Sequence, residues 1–103
     1  MMAKRFSLTL SDEAEADFDK SYEFYFEDSP KVADTFYKQV NMGFDHIRLN
    51  PSSFPIAYKD VRKYVVIKFP FVIYYRIVDV SIQVIAIFHT SRNPEIWNER
   101  ITE

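Results

Sequence analysis

The sequence predicts an α+β fold, in which an antiparallel-rich sheet packs against a helical hairpin and a short C-terminal helix follows. The first residues alternate between polar and apolar side chains, and the period then changes to that of a helix. Two amphipathic segments are joined almost directly, and three strand-like segments with short connections come after them. The predicted order is β-α-α-β-β-β, in one domain that spans residues 1–103.

The first strand is predicted over Lys4 to Leu10, because Phe6, Leu8 and Leu10 fall on one face of an extended chain. This opening segment lacks the long apolar run that a secretory signal or a membrane helix needs. We therefore expect a cytoplasmic protein that does not enter a membrane.

Two helices are predicted between Ser11 and the proline-rich segment "NPSSFP". The Ser11 hydroxyl is suited to cap the first helix, and Ser29 with Pro30 is suited to begin the second. The expected apolar stripes are Ala14, Phe18, Tyr22 and Tyr25, then Val32, Phe36, Val40, Phe44 and Ile47. So short a connection predicts an antiparallel hairpin.

Three more strands are predicted, over Lys63 to Phe69, Phe71 to Val78 and Ser81 to Phe88. Their short links demand antiparallel neighbours, because a parallel return needs a longer crossover. The segment "VIAIF" is apolar at every position, so the last strand is expected inside the sheet.

The segment "NPEIWNER" predicts the short C-terminal helix, with Asn93 as its cap and Pro94 as its first residue. We expect Ile96 and Trp97 to anchor this helix on the core.

Composition excludes several kinds of site. With 17% aromatic residues, one glycine and no cysteine, the chain has no glycine-rich phosphate loop, no disulfide and no thiolate ligand. Two histidines are too few for a histidine-rich metal site, so neither a metal nor another cofactor is expected. The net charge of -2 argues against binding nucleic acid through bulk charge, and no sequence-specific DNA binding is expected.

Candidate functional residues lie mainly in the C-terminal half. His89 ends an apolar strand, where it would serve either as a proton carrier or as a hydrogen-bonded structural residue. Arg62, Arg76, Arg92 and Arg100 would either hold phosphate oxygens or form ion pairs with the many acidic side chains. The residues alone leave both alternatives open.

The order of these segments resembles the RelE/ParE toxins of bacterial type II toxin–antitoxin systems over almost the whole chain. The resemblance rests on the helix pair that ends in "LNPSSFP", the strand "FPFVIYYRI" and the segment "AIFHTSRNP". It implies a toxin that arrests growth unless a cognate antitoxin binds it. RelE-like members cut mRNA on the ribosome, whereas ParE-like members inhibit DNA gyrase and carry no nuclease site.

Carried over residue by residue, Arg62 matches the arginine that opens the second strand of the family, and His89 matches the histidine of YoeB-like nucleases. Phe71 and Val72 stand where those nucleases place a catalytic arginine, and Thr90 stands where they have tyrosine. These departures favour the ParE branch, with DNA gyrase as the implied target.

Two alternatives remain beside this hypothesis. In a ribosome-dependent mRNA endoribonuclease, His89, Arg62 and Arg92 would form the catalytic site. An inactive homologue would instead be retained as a module that binds the antitoxin. In either a toxin or such a module, the candidates for partner contact are Tyr22, Tyr25, Arg62, Trp97 and Arg100.

Overall fold

A computed structural model describes residues 6–101. The elements in chain order are β1 (Ser7–Leu10), α1 (Asp12–Asp28), α2 (Pro30–Leu49), a 3-10 turn (Pro51–Ser53), β2 (Ile56–Tyr58), β3 (Val61–Val65), β4 (Phe71–Val78), β5 (Ser81–His89) and α3 (Glu95–Asn98). The predicted α+β fold is confirmed, with one strand more than predicted. The first strand begins at Ser7, and the start predicted at Lys4 lies outside the described residues.

The five strands form one sheet in the order β1-β5-β4-β3-β2. β1 pairs with β5 in parallel, with Ser7 opposite Ser81, and the other pairs are antiparallel. β5 therefore lies between β1 and β4, as the apolar segment "VIAIF" predicted. All five residues of that segment are buried.

Both caps predicted for the helices of the hairpin are present. The Ser11 hydroxyl accepts a hydrogen bond from the Ala14 amide at 3.1 Å, and the Ser29 hydroxyl accepts one from Val32 at 3.3 Å. The prediction that Val32 belongs to the buried stripe of α2 is wrong, since its side chain is 38% exposed. At 3.6 residues per turn, Val32 lies beside the face formed by the buried residues Ala33, Phe36, Val40, Gly43, Phe44 and Ile47.

Apolar clusters pack on both faces of the sheet. One cluster joins the helical hairpin to the sheet, around Phe36, Ile73 and Tyr75. The second cluster lies on the opposite face, where Trp97 of α3 packs with Phe88 and its ring lies 4.3 Å from the Tyr74 ring, tilted by 30°. The second cluster covers only part of its face, because Thr9, Lys63 and Gln83 are exposed there.

The short helix α3 is anchored by one side chain. Trp97 is 1% exposed, but Ile96 is 47% exposed, so the prediction that both residues anchor the helix is wrong for Ile96. The helix begins at Glu95 and not at Pro94, although the Asn93 side chain accepts a hydrogen bond from the Glu95 amide at 3.0 Å, as expected of a cap.

The strand boundaries around β3 differ from the prediction. β3 covers Val61–Val65 and not Lys63 to Phe69, because Lys68 has a φ of 71° that ends the extended chain. Phe69 instead packs against the core beneath the hairpin. The short strand β2 was not predicted; the turn that joins it to β3 includes Lys59, whose φ is 52°.

A β-bulge interrupts the pairing of β4 with β5. Tyr74 pairs with Ala86 and Tyr75 pairs with Val84, so Ile85 is an extra residue in β5. Beyond Val84, β5 also has no β1 residue beside it, because β1 ends at Leu10. The backbone of this stretch must therefore find other hydrogen-bond partners.

Candidate functional site

A groove of about 790 Å³ runs along one side of α1 and ends against the last residues of β5. α1 contributes residues at helical spacing, and β4, β5 and the segment after β5 form the opposite wall. The lining residues are Glu13, Ala16, Asp17, Lys20, Ser21, Phe24, Tyr25, Phe71, His89, Arg92 and Arg100.

Asp17 is a buried carboxylate at the wall of this groove, and its side chain is 7% exposed. It accepts hydrogen bonds from the Ile87 amide at 3.0 Å and from Arg100 at 2.7 and 3.2 Å. Arg92 adds a longer contact at 3.5 Å. A buried charge needs such partners, because desolvation without them is costly.

Arg100 also satisfies the backbone next to the bulge. Its Nη1 donates to the Ile85 carbonyl at 3.0 Å, and the Ser11 hydroxyl donates to the same oxygen at 3.4 Å. Arg100 thus connects α1 to the stretch of β5 that β1 does not cover. We call the Asp17–Arg100 pair the buried clamp.

Arg92 differs from Arg100 in its exposure. Its side chain is 41% exposed, compared with 16% for Arg100. The Arg92 guanidinium lies 3.7 Å from the centre of the Phe88 ring, which is a close cation–π contact. Arg92 therefore retains part of its surface for a ligand in the groove, whereas Arg100 is held by the protein.

His89 lies at the mouth of the groove, with its ring edge-on to Phe71 at 5.2 Å. Its Nδ1 accepts a hydrogen bond from the Ser91 amide at 3.0 Å and contacts the Ser91 hydroxyl at 2.8 Å. Because a backbone amide can only donate, Nδ1 carries the lone pair and the neutral ring holds its proton on Nε2. The ring is therefore oriented by the loop that follows β5.

Arg62 is not among the residues that line this groove. Its Nη1 donates to the carbonyls of Ser52 at 3.1 Å and Phe54 at 2.6 Å. Tyr75, its partner across the β3–β4 pair, donates to the Pro51 carbonyl at 2.6 Å. Arg62 and Tyr75 together hold the segment after α2 on the sheet.

The aromatic candidates lie in three different places. Tyr25 lines the groove and packs against Phe36, and its partial burial raises the pKa of the phenol. Tyr22 lies on the other side of α1, with its ring 6.0 Å from Phe26. Trp97 is buried beneath the sheet. The structure thus brings together His89, Arg92, Arg100 and Tyr25, but not Tyr22, Arg62 or Trp97.

The sequence prediction missed the role of Asp17. The signal is its position: Asp17 lies three residues after the buried Ala14 and directly before the partly buried Phe18, on the inward face of an otherwise acidic helix. Within residues 6–101, no three His, Cys, Asp or Glu side chains are grouped as a metal site requires.

Comparison with known proteins agrees with this architecture. The profile of the family described as "ParE toxin of type II toxin-antitoxin system, parDE" matches residues 8–94. The chain belongs to this family. The ParE-branch resemblance seen in the sequence is thereby confirmed, and membership of a toxin–antitoxin family implies an antitoxin partner.

A solved structure described as "Chromosomal ParDE TA system from P. aeruginosa" has the same fold as this ParE-family toxin. The TM-score is 0.74 at 21% sequence identity, and the match covers 84% of this chain and 98% of that chain. A search of curated proteins finds no match. In the part of the toxin that the structure describes, no helix is both long and apolar enough to cross a bilayer.

Proposed function

We propose that this ParE-family toxin acts in the cytoplasm by protein contact, with DNA gyrase as its target and without catalysis of its own. The observation that supports this proposal is that most of the candidate arginines are already occupied by partners within the protein. Arg100 is committed to the buried clamp and Arg62 to two backbone carbonyls, so among the arginines of residues 6–101 only Arg92 presents a partly exposed guanidinium to the groove.

RNA cleavage would have to rely on the two cations of the groove that are not held in the buried clamp, Arg92 and Lys20. A nuclease must place a cation where negative charge develops on the transferring phosphoryl group, in addition to a general base. Arg100 could take that place only by giving up its hydrogen bonds to Asp17. Loss of one such stabilising donor typically costs about 2.7–4 kcal/mol of barrier. Phe71, which stands at the position of a catalytic arginine in related nucleases, adds an apolar ring to the groove.

The residues predicted to contact a partner protein differ in whether they are free to do so. Trp97 is buried and Arg100 is held by Asp17, so both support the fold. Arg62 likewise fixes the segment after α2. We therefore propose that the surface for antitoxin and target includes Tyr22 and Tyr25, which are both partly exposed on α1.

The test combines two assays on the purified toxin. In a supercoiling assay with purified gyrase, we expect inhibition by the natural chain and equal inhibition by His89→Ala, since the proposal gives the imidazole no chemical role. In a ribosome-bound mRNA cleavage assay, we expect no cut transcripts from either protein.

Two outcomes would contradict the proposal. Cleaved transcripts that disappear in His89→Ala, without gyrase inhibition, would establish the endoribonuclease alternative, which the position of His89 beside Arg92 in one groove favours. Neither inhibition nor cleavage by a folded protein would show an inactive homologue. Circular dichroism of each variant serves as the folding control.

A further inference from the structure

A row of four aromatic rings lies on the outer face of the helical hairpin, away from the groove, and two of the rings are exposed while two are partly buried. On α1, the Tyr22 ring lies 6.0 Å from both the Phe18 ring and the Phe26 ring. Tyr37 of α2 extends this row, because its ring lies 6.0 Å from Phe18. We call these four residues the aromatic strip. Phe26 is 49% exposed and Tyr37 is 50% exposed.

A row of carboxylates follows the aromatic strip along α1. Glu15, Asp19, Glu23 and Glu27 repeat every four residues, as Phe18, Tyr22 and Phe26 do, so the two rows run side by side. All four acidic residues are exposed, and among the described residues none of them forms an ion pair. Like charges at this spacing repel each other, so a cationic partner would relieve that repulsion.

The two rows meet in a shallow depression of about 330 Å³, lined by Tyr22, Glu23, Phe26 and Glu27. Aromatic faces attract a cation through the quadrupole of the ring, and the carboxylates add direct charge attraction. The lining therefore suits the head group of a lysine or arginine side chain from another molecule.

We propose that the aromatic strip and the adjoining carboxylates form a docking surface for a basic amphipathic helix of a partner protein. Apolar side chains of that helix cover the strip, and one lysine or arginine enters the depression beside Tyr22 and Phe26. From Phe18 to Phe26 the strip is about 12 Å long, which matches about two turns of a partner helix. Exposed aromatic surface favours an apolar partner, and the carboxylates restrict that partner to one that is basic.

This surface lies apart from the groove, but it shares Tyr22 with the partner surface proposed above. Phe24 and Phe26 are two residues apart on α1, so their side chains point about 200° apart around the helix axis. Phe24 lines the groove and is 71% exposed, which makes it a matched control for Phe26. The inference therefore rests in part on the proposed function, and the variants avoid Tyr22 so that the two can fail separately. Loss of peptide binding in Phe26→Ala tests this surface alone, whereas gyrase inhibition by the natural chain tests the proposed function.

The experiment uses the purified full chain and a fluorescein-labelled helical peptide, with leucines on one face and arginines on the flanks. The control peptide carries glutamate at every arginine position. By fluorescence anisotropy, we expect the arginine peptide to bind and the glutamate peptide not to bind. Raising the salt concentration should weaken binding, because the carboxylates are exposed and therefore screened.

The variants locate the contact. Phe26→Ala should weaken binding by about three- to fivefold, the value of an exposed cation–π contact. The double variant Glu23→Gln with Glu27→Gln should weaken it by about threefold to tenfold, as expected for the loss of exposed charge pairs. Phe24→Ala should bind like the natural chain.

Equal weakening by Phe24→Ala and Phe26→Ala would overturn the proposal, and so would equal binding of the two peptides. Sedimentation equilibrium of the toxin alone tests a second occupant. A dimer that Phe26→Ala dissociates would show that another copy of this chain covers the strip and would also refute the proposal.

Discussion

Replacing Arg100 by alanine removes the principal partner of a buried charge. Asp17 is 7% exposed, and Arg100 provides two of its hydrogen bonds, at 2.7 and 3.2 Å. In the variant, the carboxylate keeps the Ile87 amide and the longer contact to Arg92 at 3.5 Å. The Ile85 carbonyl also loses a donor. The loss therefore affects both a charge and the backbone beside the bulge.

The expected loss in the free energy of unfolding follows from these lost contacts. Removing one partner of a buried ion pair typically costs about 3–5 kcal/mol, and Arg92 can compensate in part, so we expect a loss of about 3 kcal/mol. Domains of this size are stable by about 5–15 kcal/mol in total. At about 4–8 °C per kcal/mol, the melting temperature should fall by about 12–24 °C.

Urea unfolding monitored by the fluorescence of Trp97, the single tryptophan of the chain, measures this loss. The matched control is Arg48→Ala, because Arg48 pairs with Asp45 on the surface, where the two side chains are 42% and 71% exposed. That exposed pair should contribute less than about 0.5 kcal/mol. Replacing both members of the buried clamp, as Asp17→Leu with Arg100→Met, should recover only part of the stability, since no carboxylate is then left unpaired but the Ile87 amide and the Ile85 carbonyl still lack their side-chain partners.

Equal losses for Arg100→Ala and Arg48→Ala would refute this reasoning. They would show that water solvates Asp17 in the folded state. Arg100 would then be available to a phosphate ligand, and the main support for a contact-based mechanism would be removed.

Two further predictions concern the interior. Burial raises the pKa of Tyr75 to about 12, so the folded state favours the neutral phenol over the phenolate. The stability that this neutral phenol contributes is present below about pH 10 and is lost between about pH 10 and 12. In urea unfolding, Tyr75→Phe should lose less stability than the natural chain when the pH is raised through this range. At neutral pH the variant should be about 1 kcal/mol less stable, because it lacks the hydrogen bond to the Pro51 carbonyl. An unchanged loss of stability at alkaline pH would contradict this prediction. A Cβ at Gly43 would lie 2.7 Å from the Tyr64 ring, whose hydroxyl is held 2.8 Å from His46. In Gly43→Ala, overpacking should lower the free energy of unfolding by about 1–3 kcal/mol, which outweighs a gain of about 1 kcal/mol from the better helix propensity of alanine. A variant that is more stable than the natural chain in urea unfolding would contradict this prediction.

Local chemistry explains which elements the sequence predicted. A cap is a contact between neighbours in sequence, so Ser11 and Ser29 could be identified without knowledge of the tertiary structure. The strand over Phe71–Val78 was predicted with the bounds that the structure has, because turns end it on both sides. β2 has only three residues, and its position depends on pairing with β3, which no local pattern of that length reveals.

The candidate site was predicted less well because its geometry is nonlocal. The sequence identified His89, Arg92 and Arg100 but could not show that Arg100 reaches Asp17, which is 83 positions earlier. The β-bulge at Ile85 leaves its carbonyl without a strand partner, and Arg100 donates a hydrogen bond to that carbonyl. No glycine or proline near Ile85 marks the bulge in the sequence.

The parallel pairing of β1 with β5 has a consequence for biosynthesis. Ser7 and Ser81 are 74 positions apart, so at about 5–20 residues per second the ribosome makes β5 about 4–15 seconds after β1. During that interval β1 has no strand beside it, and Asp17 lacks the arginine that neutralises it. The hairpin of α1 and α2 can form early from local contacts, whereas the sheet edge and the groove must wait for residues 81–100. A growing chain of this toxin therefore exposes its helical hairpin to cellular partners well before it can present the finished groove.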